Sequence, residues 1–189
     1  MPATTKVLAK GDTVTTDQNN ALLHYAGSSI PDFYGAIISS FNYKGFGLSF
    51  QLNYQLGGKV YDDTYAQLMN NSYGYALHTD VSKRWKKAGD VTDVPRLDAG
   101  RNSQFNALSD RWLIDASYLT VQNITVSYNL PVSVASKAHL QNVRFYVTGE
   151  NLYMFTKRQG LNPIQNFTGV TSNTYVPSRN ITAGINMTL

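Results

Sequence analysis

Catalysis and metal binding need nucleophiles, bases or ligands gathered in one place, and this sequence offers few. Its 189 residues contain no cysteine and only 3 histidines. That excludes a thiolate nucleophile, a disulfide framework and a thiolate metal site. His24, His78 and His139 stand far apart in no ligand motif, so solvated or packed histidines are expected. Asp12 and Asp17, within Gly11-Asp12-Thr13-Val14-Thr15-Thr16-Asp17, hint at calcium, but their spacing is not that of an EF-hand loop. No Ser/His/Asp set, carboxylate pair or phosphate-cradling glycine loop has a credible placement. The expectation is a protein that is not an enzyme, with no catalytic, cofactor-binding or metal-ligating residues and no cofactor. No substrate-binding residue is marked by the sequence.

Two features could bind a partner. The rings around Tyr61, Tyr65, Tyr73 and Tyr75 could stack on sugars, or could pack a loop and an aromatic girdle. The run Lys83-Arg84-Trp85-Lys86-Lys87 could contact anionic lipopolysaccharide or a protein, or could be a solvated loop. A net charge of +4 without a concentrated basic face gives no support for nucleic-acid binding. Asn123, Asn166, Asn180 and Asn186 each begin an Asn-x-Ser/Thr triplet. In Asn180-Ile181-Thr182 and Asn186-Met187-Thr188 strand alternation already produces that pattern, so these read as chance sequons rather than glycosylation sites.

The elements that would carry such residues are strands. Phe46, Leu48, Phe50, Leu52, Tyr54 and Leu56 alternate without a fault against Gly47, Ser49, Gln51, Asn53 and Gln55. A period of two makes one strand face wholly apolar and the other wholly polar. At about 3.4 Å per residue and a tilt near 45°, such a strand spans roughly 25 Å, the height of the apolar band of an outer-membrane barrel. No stretch approaches the ~20 apolar residues of a transmembrane helix. The slightly negative mean hydropathy does not argue against a membrane barrel, because its strands alternate lipid-facing and lumen-facing residues. Met1-Pro2-Ala3-Thr4-Thr5 opens no apolar signal-peptide core.

Four more strands are expected. Phe33, Ile37, Phe41 and Tyr43 share a parity before the turn at Lys44-Gly45. From about Tyr118 to Leu130, Ile124, Val126, Tyr128 and Leu130 share one face, while Leu119 and Val121 fall on the other parity. A β-bulge near Gln122-Asn123 would restore a single face. Val143, Phe145 and Val147 set a fourth strand, and Ile181, Ala183, Ile185, Met187 and Leu189 a fifth. A long irregular region is expected from Gly57 to about Ala116, with a short helix near Asp80 to Lys87, and a second long loop from about Leu152 to Pro177. The Pro131 to Gln141 connection is short. Connections that alternate short, long, short, long suit periplasmic turns and extracellular loops. Residues 1–31 read as a polar lead-in and 32–189 as barrel wall. Five strands cannot close such a barrel, so the chain reads as all-β, antiparallel, and a fragment. The alternative is a soluble β-sandwich binding carbohydrate, but sandwich turns recur about every 8–12 residues.

An ordered set of motifs resembles a known family. Pro31-Asp32-Phe33-Tyr34-Gly35, Tyr43-Lys44-Gly45-Phe46 and Tyr54-Gln55-Leu56-Gly57-Gly58-Lys59-Val60-Tyr61-Asp62 come first. Asp110-Arg111-Trp112-Leu113, Ala116-Ser117-Tyr118-Leu119, Asn123-Ile124-Thr125 and Tyr128-Asn129-Leu130-Pro131 follow. Gly149-Glu150-Asn151-Leu152, Thr156-Lys157 and Gly160-Leu161-Asn162-Pro163 complete the set. Together they are similar to the late-barrel strands of the SusC/RagA family of TonB-dependent outer-membrane transporters. The resemblance implies a Gram-negative outer-membrane barrel of about 22 strands with a plug, of which this chain holds the C-terminal strands. It also implies uptake of oligosaccharides or peptides, a SusD-like surface lipoprotein as partner, contact with outer-membrane lipid, and energy from the TonB complex through parts outside this chain. The family usually ends on an aromatic residue, where this sequence has Leu189.

Overall fold

The computed structural model describes residues 19, 21–70, 74–97, 105–158, 160–165, 168–171 and 177–189. The expectations on Asp12, Asp17, Tyr73 and Asn166 fall outside them. Five strands form one antiparallel sheet in chain order: β1 (Phe33–Tyr43), β2 (Phe46–Leu56), β5 (Tyr118–Asn129), β6 (Asn142–Thr156) and β7 (Asn180–Thr188). Two short strands, β3 (Lys59–Tyr61) and β4 (Leu113–Asp115), pair with each other beyond the ends of β2 and β5.

Register follows the side-chain alternation, because a slip of one residue would turn every apolar group to the other face. Phe46 stands opposite Tyr43 and Tyr128, Leu48 opposite Phe41 and Val126, and Phe50 opposite Ser39 and Ile124. Phe145, Val147 and Gly149 continue these rows onto β6, and Ile185, Ala183 and Ile181 onto β7. One face is therefore a continuous apolar surface. The expected bulge is present: Gln51 faces Asn123 but Leu52 faces Val121, leaving Gln122 as the extra residue. That shift brings Leu119 and Val121 to the apolar face. β6 answers at the same level with Asn151 in the left-handed region at φ 51°, so Asn123 faces Glu150 while Val121 faces Tyr153.

The second bulge corrects one expectation. β6 does not yield to a loop at Leu152 but runs on to Thr156, because the irregularity at Asn151 matches the bulge at Gln122 and keeps Tyr153 and Phe155 opposite Val121 and Leu119 on the apolar face. The Gly57 to Ala116 region is also more ordered than expected. It holds β3, a helix α1 (Asp63–Leu68), a 3-10 turn at Thr79–Lys83 in place of the longer helix, and β4. The break between β2 and β3 needs Gly57 and Gly58, both left-handed at φ 79° and 77°. A Cβ on Gly57 would also collide with the Asp32 carboxylate. The connection from β5 to β6 contains a one-turn helix α2 (Val132–Ala135) and a 3-10 turn at Ser136–Ala138. Among the described residues no helix is long and apolar enough to cross a membrane, which says nothing of strands. No second sheet covers the apolar face among the described residues, as a sandwich would require.

The buried core lies in the loops rather than on the sheet. Ala66, Met69, Val81, Val94 and Trp112 cluster with Tyr61, Tyr65, Leu77 and Phe105 against them. Val60, Ala116 and Leu161 form a second cluster beside Ile114.

Candidate functional site

The long-loop end of the sheet carries a compact unit assembled around Asp62. This residue leaves β3 and caps α1, accepting the N–H of Tyr65 at 3.2 Å. A caps-and-turns residue here is expected, because the first turn of a helix has unsatisfied donors. Asp62 is only 2% exposed, and a carboxylate at that depth requires partners. Arg158, just past β6, supplies one through its guanidinium, and the Thr171 hydroxyl supplies another at 3.3 Å. The Arg158 guanidinium also lies over the Tyr65 ring, 4.3 Å from its centre. The 157–179 connection is bound a second time: Tyr61 N donates to Gly169 O and Thr171 N to Tyr61 O, a parallel bridge beside β3. The two long connections thus form one body.

Tyr65 extends this body toward the 3-10 turn. Its hydroxyl donates to Asp80 Oδ2 at 2.8 Å, and Lys83 Nζ reaches Asp80 Oδ1 at 2.6 Å. Burial, then the Asp80 hydrogen bond, push the Tyr65 phenol up to about 12. Hydrogen bonds from Lys83 and Tyr65 hold the Asp80 carboxyl below its usual range. Rings of Tyr65 and Phe105 meet Trp112 edge-on at 5.8 and 5.6 Å, a favourable arrangement for aromatic quadrupoles. The lead-in joins through Lys59, whose N–H donates to Ser28 O and whose Nζ donates to Ala26 O at 2.6 Å.

The sheet's polar face is a second candidate surface. Amide side chains run head to tail across it: Gln51 donates to Asn53 at 3.0 Å, Asn53 to Gln122 at 3.5 Å, and Gln122 to Asn151 at 2.8 Å. Asn151 then donates to Ser178 O at 3.3 Å. The coincident bulges place Gln122 and Asn151 within reach of each other. Charge on this face is sparse; Arg144, which donates to Ser127 Oγ at 3.2 Å, and Glu150 carry it.

The tyrosines expected to act together are divided. Tyr61 and Tyr65 pack against the loop core, whereas Tyr75 is 70% exposed. Past Lys83, the basic run forms a turn in which Asp90 accepts the N–H groups of Lys86 and Lys87. Lys86 and Lys87 are exposed, and Arg84 and Trp85 half-buried. The histidines stay apart. His24 lies 3.8 Å from Asp110, His78 accepts the Asp80 N–H, and His139 occupies a left-handed turn position. Asn123, Asn180 and Asn186 lie within strands. Nothing in the sequence pairs Asp62 with Arg158, the two being 96 residues apart. The local signal was only the capping position before Asp63-Thr64-Tyr65-Ala66.

An antiparallel sheet in chain order, apolar on one face and polar on the other, with short turns at one end and folded loops at the other, is a section of transmembrane β-barrel wall. No protein-family model matches the chain. It is 30% identical over 172 residues to the TonB-dependent receptor P3 of Formosa agariphila, covering 85% of this chain and 17% of that protein. It is 24% identical over 152 residues to the TonB-dependent receptor SusC of Bacteroides thetaiotaomicron, covering 80% of this chain and 14% of that protein. The RagAB peptide importer in its closed-closed state superposes with a TM-score of 0.75 at 28% identity, covering 97% of this chain and 20% of that one. This chain is a SusC/RagA-like segment of a TonB-dependent receptor barrel, and it spans about a fifth or less of the relatives it matches.

Proposed function

We propose that the chain is the wall and outer loops of an active transporter in the outer membrane of a Gram-negative bacterium, with no catalytic step of its own. The observation that carries this reading is the alternation of faces along five consecutive strands, joined by connections that alternate short and long. Lipid offers no partners for free backbone groups, so a spanning sheet must close through further strands. β1 and β7, the two edges here, each have a single strand neighbour. In this reading the apolar face meets lipid, the short turns face the periplasm, and the Asp62 loop body lies outside the cell.

The imported substrate is an oligosaccharide or peptide that passes the polar face, and a SusD-like lipoprotein covers the outer end. TonB acts through parts outside this chain. Relatives named as peptide importer and as SusC support these assignments. The test takes two forms. Full-length receptor should fractionate with outer membranes and migrate as a heat-modifiable folded barrel, and disruption of its gene should abolish uptake of one glycan or peptide. The isolated chain, with its apolar face and both edges open, should not persist as a monomer in water. A cooperatively melting, detergent-free monomer would overturn the reading.

A further inference from the structure

The apolar face is not uniform, and its relief comes directly from the register. Phe46, Tyr128, Phe145 and Ile185 form one row across β2, β5, β6 and β7, all with long side chains. The next row toward the long loops has Leu48 on β2 but turns short beyond it, with Val126, Val147 and Ala183 on β5, β6 and β7. A short row beside a long one leaves a trough. It is an apolar groove of about 490 Å³, lined on this face by Phe46, Tyr128, Phe145, Val147, Ala183 and Ile185.

A cation stands at the β1–β2 end of the long row, next to Phe46, which lines the groove. Lys44, in the tight turn between β1 and β2, holds its ammonium 5.2 Å from the ring centre of Tyr43, which faces the same side as Phe46. The turn abuts the long row: a Cβ on Gly45 would lie 3.3 Å from the Tyr128 ring. Aromatic side chains beside a lysine at the end of an apolar band match the boundary between acyl chains and headgroups.

We propose that this groove holds one acyl chain of a glycerophospholipid from the leaflet on the short-turn side, with the phosphate against Lys44. The proposal rests on the reading that the apolar face meets lipid, and the groove is continuous with that face. It turns a generic lipid contact into a discrete site with a chain slot and a charged rim.

Full-length receptor would be purified from outer membranes, placed in phosphatidylglycerol nanodiscs and released for native mass spectrometry. Wild type should retain a phospholipid. Ala183→Leu fills the trough and should weaken retention about tenfold, the cost of leaving about two methylene groups unburied. Val147→Leu narrows the same trough and serves if Ala183→Leu does not fold. Ser39→Leu, on the apolar face opposite Phe50, should retain lipid as wild type does. Lys44→Ala should lower retention several-fold. Equal retention by the groove variants and Ser39→Leu overturns the site, and unchanged retention by Lys44→Ala overturns the phosphate contact. Heat-modifiable migration separates the two readings: a folded barrel without retained lipid sinks only the groove, whereas failure to insert sinks both.

Discussion

The strand wall and the loop body are stabilised by different solvents. On the wall the large apolar side chains point outward, with Phe33 69% and Ile181 73% exposed, whereas Met69 and Trp112 in the loops are 2% and 3% exposed. The wall is held by backbone ladders whose register is set by which face must be apolar. The loop body is held as a small water-soluble domain is held, by burial around Trp112 and by satisfied polar groups at Asp62. A wall of this kind needs hydrocarbon to complete it, and the loop body does not. The difference says where each kind of substitution should act.

Trp112→Ala should have the largest effect. Removing a buried Trp costs about 3–5 kcal/mol, and here the loss falls on the loop body alone. Limited proteolysis of the full-length receptor should show rapid nicking between 57 and 117 while heat-modifiable migration stays normal. Barrel assembly failing along with the loops would erase the distinction between the two regions. Leu52→Arg acts on the other side of the comparison. Near the bilayer midplane it should cost roughly 2–4 kcal/mol, whereas Gln51→Arg on the polar face should be much milder. Equal losses from the two in a bilayer-folding assay would mean that the faces are assigned wrongly.

Asp62→Ala sharpens the picture inside the loop body. It leaves the Arg158 guanidinium and the Thr171 hydroxyl without their shared acceptor. Breaking a buried pair costs about 3 kcal/mol or more, but Arg158 is partly exposed and water will screen it, so about 2 kcal/mol is expected. The loss should appear as release of the 157–179 connection, read as faster hydrogen exchange at Tyr61 and Thr171, whose N–H groups bind that bridge. Unchanged exchange there would show that the backbone bridge alone joins the loops.

The wall was legible in the sequence, and the loop body was not. Faultless alternation from Phe46 to Leu56 fixes a strand and its faces at once, and the parity clash between Val121 and Ile124 located the bulge. Both signals are local. The second bulge at Asn151 left no such clash, since Gly149, Tyr153 and Phe155 keep one parity throughout. β3 and β4 have three residues each, too few to show a period. The loop core joins Ala66, Val81, Val94 and Trp112, which are widely separated in the chain, and no periodicity relates them. Burial of that kind is settled by chain folding over long separations.

The smallest effect concerns Tyr65, which joins the Asp62 pair to Asp80. Its phenol is raised from about 10 to about 12 by burial and the Asp80 hydrogen bond. A raised pKa means that folding holds the proton, so the stabilisation is complete below the unfolded value of about 10 and disappears as pH rises through about 12. Asp80 works in the opposite sense. Its lowered pKa gives stabilisation that is present above the ordinary aspartate value and lost as pH falls through the folded value. The loop body should therefore loosen at both extremes while the wall, closed by backbone pairing, does not. Tyr65→Phe keeps the ring under Arg158 and beside Trp112 but removes the hydroxyl, which should cost about 1 kcal/mol at neutral pH. It should also flatten the alkaline arm, because the residue no longer titrates, and shift the acid arm slightly, because Asp80 loses one donor. Proteolysis of the loops across pH measures both arms, with Tyr75→Phe at an exposed ring as the control. An alkaline arm equally steep in Tyr65→Phe would mean that another group governs it, and the Tyr65–Asp80 contact would then contribute packing alone.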